Sequence, residues 1–306
     1  MYHLEQVYGK KTYDAFKSHG GSPADLLPTQ CSSAQVAGGS PWEAQSYEDL
    51  IEKVSFLAAM NKRLVLYFRG QTADFGPIIP QLFRKNWRCF DHGGEFLINT
   101  HAYWNHLHVI GERVKRMCLD IGVPRPRTLE TREVQWAIIQ HYGLWPTPLL
   151  DLTLNLRVAA SFALAKDTTE GILYVCGMPN CTGSITFDID QQLVLARLQS
   201  CCPPIAKRPH YQDGFLVGRF PLYSPGHFES VKSDLNLRLI AKFKLNAAKN
   251  NFWNPSFPRI SEKALYPDDQ DVLFRAFVKE FGKDGTNPVY SKDLELSNPL
   301  QAAAHN

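Results

Sequence analysis

Leu64-Val65-Leu66-Tyr67-Phe68-Arg69-Gly70-Gln71 is the stretch from which the rest of the chain is read. Its run of Leu, Val, Tyr and Phe is strand-like and too short for a typical buried helix. The run then delivers an arginine and a glycine. A guanidinium stays charged and needs partners wherever it is placed. Presented by a strand at an opening that glycine permits, it suits two-pronged recognition of phosphate or carboxylate. The plainer reading of Arg69 is a salt bridge to a nearby carboxylate. Gly70 lets the backbone turn, or approach a ligand closely.

Working outward, Ser46 is set to cap a helix, with Glu48 and Asp49 in its first turn. Leu50, Ile51, Val54, Leu57 and Ala58 follow at helical spacing. Residues 1 to about 45 read as a loosely organised extension, with turn chemistry at Gly20-Gly21-Ser22-Pro23 and Ala37-Gly38-Gly39-Ser40-Pro41. Beyond the strand, a loop carries Pro77 and Pro80 into Leu82-Phe83-Arg84. Helical patterns are expected from Glu95 to about Asp120 and over 128–142, where Gly143 supplies the stop. Residues 156–165 read as a helix of small residues. Strands are expected at 171–176, 184–189, 215–220 and 237–245, and a last helix over 269–281. Helices dominate the first half and strands the second, an α+β class rather than βαβ alternation. The division is an extension at 1–45, a body at 46–250 and a C-terminal extension at 251–306.

Composition sets outer limits. Of 306 residues, 44% are apolar and 21% charged, which excludes fibrous and wholly disordered chains. Lys plus Arg number 33 and Asp plus Glu 30, so the net charge of +3 argues against a protein that works by coating phosphates. Arg113, Lys115, Arg116 and Arg125-Pro126-Arg127 could form one basic face beside a cleft, although such clusters ordinarily just solvate a helix surface. The opening residues lack the basic and apolar pattern of a secretory signal, and no apolar run is long enough for a membrane span. Seven scattered cysteines read as reduced thiols of a cytoplasmic protein, without the ligand spacing of a zinc site.

Two further segments carry chemistry. Gln140-His141-Tyr142-Gly143-Leu144-Trp145-Pro146-Thr147-Pro148-Leu149-Leu150-Asp151-Leu152-Thr153 gathers polar groups around a helix end and a proline-fixed turn. Asp151 between two leucines is either a buried partner for a cation or histidine, or, like Thr153, a helix cap. Arg208-Pro209-His210-Tyr211-Gln212-Asp213-Gly214-Phe215 places Gln212 just before a strand, where an amide can orient a hydroxyl or a water, or simply be satisfied in its loop.

Taken in order, Phe68-Arg69-Gly70-Gln71, Gln140-His141-Tyr142-Gly143 through Thr153, and Gln212-Asp213-Gly214-Phe215 resemble the FRG domain family over roughly residues 46–220. Leu152 stands where that family usually has Trp, and Pro148 where it usually has Arg. Members occur in bacteria and phages, often near defence or toxin–antitoxin genes. The same order of elements is similar to ADP-ribosyltransferases. That likeness implies a core of split, mostly antiparallel sheets with helices packed around, and NAD as the substrate. It implies Arg69, Asp151 and Gln212 as catalytic residues, with Arg69 on the diphosphate and joined there by Arg84. His141, Tyr142 and Thr147 would frame the nicotinamide, and Asp151 or Thr153 would orient the ribose. Gly70, Gln71 and Phe215, from the same motifs, would join the NAD-contacting set. Gln212 would take the late-strand position of that fold, where a Glu or Gln contacts the ribose; Asp151 could be the acid instead, or Glu229 from the following loop. The implied function is transfer of ADP-ribose to RNA or another nucleic acid, or to protein, by a toxin or anti-phage effector. An antitoxin or chaperone would restrain it, and no metal or membrane would be involved. The alternatives are NAD hydrolysis without transfer and a non-enzymatic nucleotide-binding module.

Overall fold

In the computed structural model, described over residues 1–22, 24–83, 91–92, 95–96, 100–165, 168–222, 233–247 and 252–282, Val65–Gln71 lies at the centre of an eight-stranded sheet. The strands are β1 (Trp42–Ala44), β2 (Val65–Gln71), β5 (Leu150–Thr153), β6 (Glu170–Met178), β7 (Ile185–Asp188), β8 (Leu193–Arg197), β9 (Gly214–Arg219) and β10 (Leu239–Asn246). A separate two-stranded ribbon pairs β3 (Asp91–His92) with β4 (Glu95–Phe96). The main sheet runs β1-β10-β6-β2-β5-β9-β8-β7 and is antiparallel throughout except at β1·β10. Ten helices accompany it among the described residues: α1 (Lys10–His19), α2 (Ser33–Gly38), α3 (Tyr47–Met60), α4 (Thr100–Ile121), α5 (Arg132–Tyr142), α6 (Leu156–Ala163), α7 (Leu198–Cys201), α8 (Lys207–Tyr211), α9 (Glu262–Leu265) and α10 (Val272–Phe281). The α+β class read from the sequence is the class observed.

Strand alternation sorts the core into three bodies. On one face, Phe68, Leu173, Val175 and Phe243 pack beneath α3 and α6. On the same face but across the sheet, Val194, Ala196 and Leu216 pack beneath α4, α5 and α10. On the opposite face, Tyr67, Leu150, Leu152, Tyr174, Phe215 and Val217 form one continuous layer. The two helical layers meet above β2 and β5, which share one aligned pair, Phe68 with Thr153. The sheet is therefore weakly laced at its middle, and a seam between the helical layers lies over that gap.

The seating of α6 is dictated by glycine. A Cβ on Gly70 would lie 1.9 Å from the Ala159 carbonyl oxygen, and one on Gly171 would lie 2.0 Å from that of Ala163. Two glycines on β2 and β6, under a helix of small residues, let backbone approach backbone. Gly70 therefore serves a close helix contact rather than a turn.

Local signals hold in several places. Ser46 caps α3 by accepting from the Asp49 N–H, and Gly143 ends α5 in the left-handed conformation at φ 67°. The helix at 156–163 is capped by Asn155, which accepts from the Arg157 and Val158 N–H groups. Neither Asp151 nor Thr153 is its cap. The strand β8 escapes sequence reading because its residues are apolar on both faces and show no alternation. Residues 1–45, expected to be loose, contain two helices and wholly bury Val7. Ser33 donates to the Leu239 carbonyl. Residues 252–282 likewise pack into the body, with Phe252 in one helical layer and Leu273, Phe277 and Phe281 in the other. Scattered apolar residues far apart in sequence complete these layers, which local composition does not reveal.

Among the described residues, no helix is long and apolar enough to cross a membrane. Nor does any group of three or more His, Cys, Asp or Glu among them stand where it could hold a metal ion.

Candidate active site

Where β2 and β5 part, a cleft of about 220 Å³ opens. Its floor is Phe68, Arg69 and Gly70 of β2 and Asp151, Leu152 and Thr153 of β5. Helix α5 contributes Gln140 and His141, and α6 contributes Ala159 and Phe162. The remaining wall comes from Gly143, Arg208, Gln212, Gly214 and Tyr266.

Phe68 and Thr153 are paired, so alternation puts Asp151 on their face and Arg69 on the other. The Arg69 guanidinium bridges the gap and donates from Nη1 to the Asp151 carbonyl oxygen at 2.7 Å. A side chain thus supplies a link where the backbone ladder has stopped. Among the described residues this is the one hydrogen bond of the Arg69 side chain, whose Nε–H is buried without an acceptor.

The Asp151 carboxylate faces the cleft with 37% of its side chain exposed, while His141 behind it is 1% exposed. His141 Nδ1 lies 3.0 Å from Asp151 Oδ1. Burial drives the His141 pKa down, and this outweighs the opposing pull of Asp151. Burial would push Asp151 up, but the hydrogen bond and charge at His141, with Arg69 and Arg208, hold it below the usual carboxylate value. At neutral pH the pair is a neutral imidazole donating its Nδ1–H to an ionised carboxylate.

Both folded-state values lie below those of the unfolded chain, so acidification protonates the unfolded chain first. The stability they confer is present above the ordinary histidine value of 6.5 and is lost as the pH falls from there through the folded-state values. Denaturant midpoints measured from about pH 7.5 down to about pH 4 are expected to decline steadily. In His141→Gln the portion of the decline just below pH 6.5 is expected to shrink, and an unchanged curve would remove His141 as its source.

Helix α8 and its continuation place Arg208 and Gln212 four residues apart on one side. Gln212 is buried and donates from Nε2 to the Leu265 carbonyl at 2.6 Å. The guanidinium of Arg208 lies over two rings, 5.6 Å from the centroid of Tyr142 and 5.0 Å from that of Tyr266. Its backbone N–H donates to Asp271 Oδ2, which also accepts from the Tyr142 hydroxyl. Asp271 caps α10 by accepting from the Phe274 N–H. The cap of one helix therefore anchors the cleft wall.

Of the residues singled out from sequence, Arg69, Gly70, His141, Asp151, Thr153 and Gln212 meet at this cleft. Thr153 is buried and accepts from the Asn155 N–H. Four others lie elsewhere. Thr147 is fully buried and closes the proline turn through Gln140 Oε1 at 2.8 Å. Tyr142 stands behind Arg208 with its hydroxyl on Asp271. Phe215 faces the opposite layer, edge-on to Tyr67 at 5.0 Å. Gln71 pairs with Ile172 at the end of β2. Arg84 and Glu229 lie outside the described residues.

Sequence reading missed Arg208, Phe162 and Tyr266. For Arg208 a signal existed, its four-residue spacing from Gln212. Tyr266 has none, because it comes from beyond the expected body. The basic cluster is largely engaged elsewhere: Arg113 pairs with Glu280, Lys115 with Glu112 and Glu130, and Arg125 donates to Ser184 Oγ.

The FRG domain family model matches residues 65–171, from the start of β2 into β6, so the chain carries an FRG domain there. That span supplies Arg69, His141, Asp151 and Phe162, while Arg208, Gln212 and Tyr266 come from outside it. No curated protein and no solved structure matches the chain.

Proposed function

We propose that the cleft binds NAD and that the chain transfers ADP-ribose from it to a macromolecular acceptor. The observation that carries this reading is the convergence of Arg69, the His141–Asp151 pair and Gln212, from three distant sequence blocks, on one cleft in the middle of the sheet. The core would then be ADP-ribosyltransferase-like, with the weakly laced β2·β5 junction as the split between its two halves.

In such a reaction the bond between nicotinamide and the ribose C1′ breaks, and its electrons leave with nicotinamide. The ribose gains oxocarbenium character until the acceptor bonds to C1′ and releases its proton to solvent. A fixed carboxylate stabilises that positive charge without reorganising. Asp151 suits this role because it is ionised and faces the cleft, held by His141 through its side chain and by Arg69 through its carbonyl. We assign it as the acid ahead of Gln212, whose amide is neutral and committed to Leu265. Phe162 and Tyr266, packed edge-on to each other at 5.6 Å, would give the nicotinamide ring one aromatic wall. The cleft is smaller than the ~300–1,000 Å³ typical of ligand pockets, so it would take the nicotinamide half while the adenosine half extends outward.

In its cell the chain would act as a toxin or anti-phage effector on RNA or protein in the cytoplasm, restrained by an antitoxin or chaperone. Incubation with labelled NAD and lysate tests the reading. Release of nicotinamide with label passing to macromolecules is expected, and neither occurring would overturn it. Free ADP-ribose without labelled macromolecule would indicate NAD hydrolysis. A second reading, a non-enzymatic nucleotide-binding module, draws on one observation: among the described cleft residues Asp151 is the sole carboxylate. It predicts binding without nicotinamide release.

A further inference from the structure

We infer that Arg208 and Arg69 form a two-armed clamp for a phosphate or diphosphate group, with Arg208 held in place for the ligand by two tyrosine rings. The inference rests on the reading of this cleft as a nucleotide site, and it names the residue that would hold the anion opposite Arg69.

A guanidinium carries five N–H donors in a fixed fork. Arg208 is 15% exposed, so its charge is largely withdrawn from water. Yet its guanidinium makes no hydrogen bond to any of the described residues. The carboxylate oxygen Asp268 Oδ1 stands 4.0 Å from Nη1, and the Nε–H is buried without an acceptor. Cations in that condition are costly unless something else satisfies them. What fixes the side chain is aromatic: it lies over the rings of Tyr142 and Tyr266, at 5.6 and 5.0 Å. Ring faces attract the cation but leave its in-plane donors free. The edge of the fork is therefore available, while its position is set in advance.

The support behind it is also built in. Tyr142 is locked by the Asp271 carboxylate, which holds the Arg208 backbone N–H as well. Across the cleft, Arg69 spends one N–H on the Asp151 carbonyl and has its Nε–H unpaired. Both guanidiniums lie close enough to Asp151 to lower its pKa. Asp151 offers them one carboxylate, already tied to His141. Asp268 at 4.0 Å offsets part of the Arg208 charge, but neither guanidinium's Nε–H has an acceptor, and such unpaired donors suit an anion with several acceptor oxygens. Lysine at 208 would keep the charge but lose both the fork and the stacking.

Calorimetric titration of the full chain with pyrophosphate, ADP-ribose and adenosine is the test. Wild type is expected to bind the first two, with affinity falling as salt rises. Arg208→Gln should weaken both about 10- to 100-fold, as loss of a charge-assisted pair implies, and leave adenosine within about twofold. A second measurement guards against a folding defect in the variant. In wild-type protein labelled with [15N]arginine, pyrophosphate should shift two Nε–H resonances, one absent from Arg69→Lys and one from Arg208→Lys. Pyrophosphate that shifts neither resonance, or binds Arg208→Gln as it binds wild type, overturns the clamp. The clamp and the transferase reading fail separately. Diphosphate binding that needs Arg208, with NAD left intact, upholds the clamp and removes the transferase. NAD turnover with pyrophosphate affinity indifferent to Arg208 does the reverse.

Discussion

Gly70→Ala is expected to lower stability by about 3 kcal/mol or more, the upper end for overpacking a tight site. The added methyl would sit 1.9 Å from the Ala159 carbonyl oxygen and 2.6 Å from the Ala163 nitrogen. Those are backbone atoms of α6, so no rotamer change relieves the contact. The helix must lift from the sheet, and Ala159, Ala160 and Ala163, all fully buried, would lose their packing with it. A melting point lower by about 5 °C or more is expected for a chain of this size. Gly171→Ala should behave alike, since it meets the Ala163 carbonyl at 2.0 Å. Gly38→Ala is the control, with open space around its Cβ position and no expected loss. If Gly70→Ala melted within about 2 °C of wild type, α6 could not be seated as described. The glycine would then be read as room for a ligand instead.

Asp151→Asn is expected to reduce NAD consumption by about 10²–10³-fold, the range seen when one preorganised electrostatic group is removed. The same substitution should strengthen pyrophosphate binding several-fold, because it deletes the carboxylate that competes with an anion for Arg69 and Arg208. Opposite movement of turnover and anion affinity is what a damaged fold would not produce. The asparagine oxygen can still accept the His141 Nδ1–H, so the link at 3.0 Å is preserved in kind. The Arg69 bond is kept outright, since it goes to the main-chain carbonyl. Little change in melting point at neutral pH is therefore expected. Unchanged turnover in Asp151→Asn would remove Asp151 as the acid. A fall in turnover accompanied by an equal fall in pyrophosphate affinity would point to collapse of the cleft.

These two substitutions mark how far local sequence carries. Phe68-Arg69-Gly70-Gln71 is legible as a strand ending in a cation, because Leu, Val, Tyr and Phe favour a pleated, buried surface whatever their partners. The role of Gly70 is not legible. Whether glycine admits a ligand, a turn or a helix depends on what packs against it, and that partner, Ala159, lies far along the chain. Asp151 shows the same limit. A carboxylate ahead of a helix reads well as a cap until the structure shows Asn155 in that place. Thr147 and Phe215 belong to the same motifs as the cleft residues yet point elsewhere, into a turn and into the opposite layer. A shared motif does not tell which face of a strand a side chain takes.

By itself the sequence determined the α+β class, the strand that bears Arg69, the stop at Gly143, and the three blocks whose residues meet at the cleft. Each of these rests on short-range chemistry: β-propensity, glycine in the left-handed region, and polar groups beside a fixed turn. Tertiary structure alone decided where the cleft lies, because a seam between two helical layers is a property of packing. It alone built residues 1–45 and 252–282 into the body, through buried residues such as Val7, Phe252 and Phe277 whose neighbours are distant in the chain. It also brought Tyr266 to Arg208, and Leu265 to Gln212. The reason is the same in each case: a contact across the fold leaves no periodic trace in the residues around either partner.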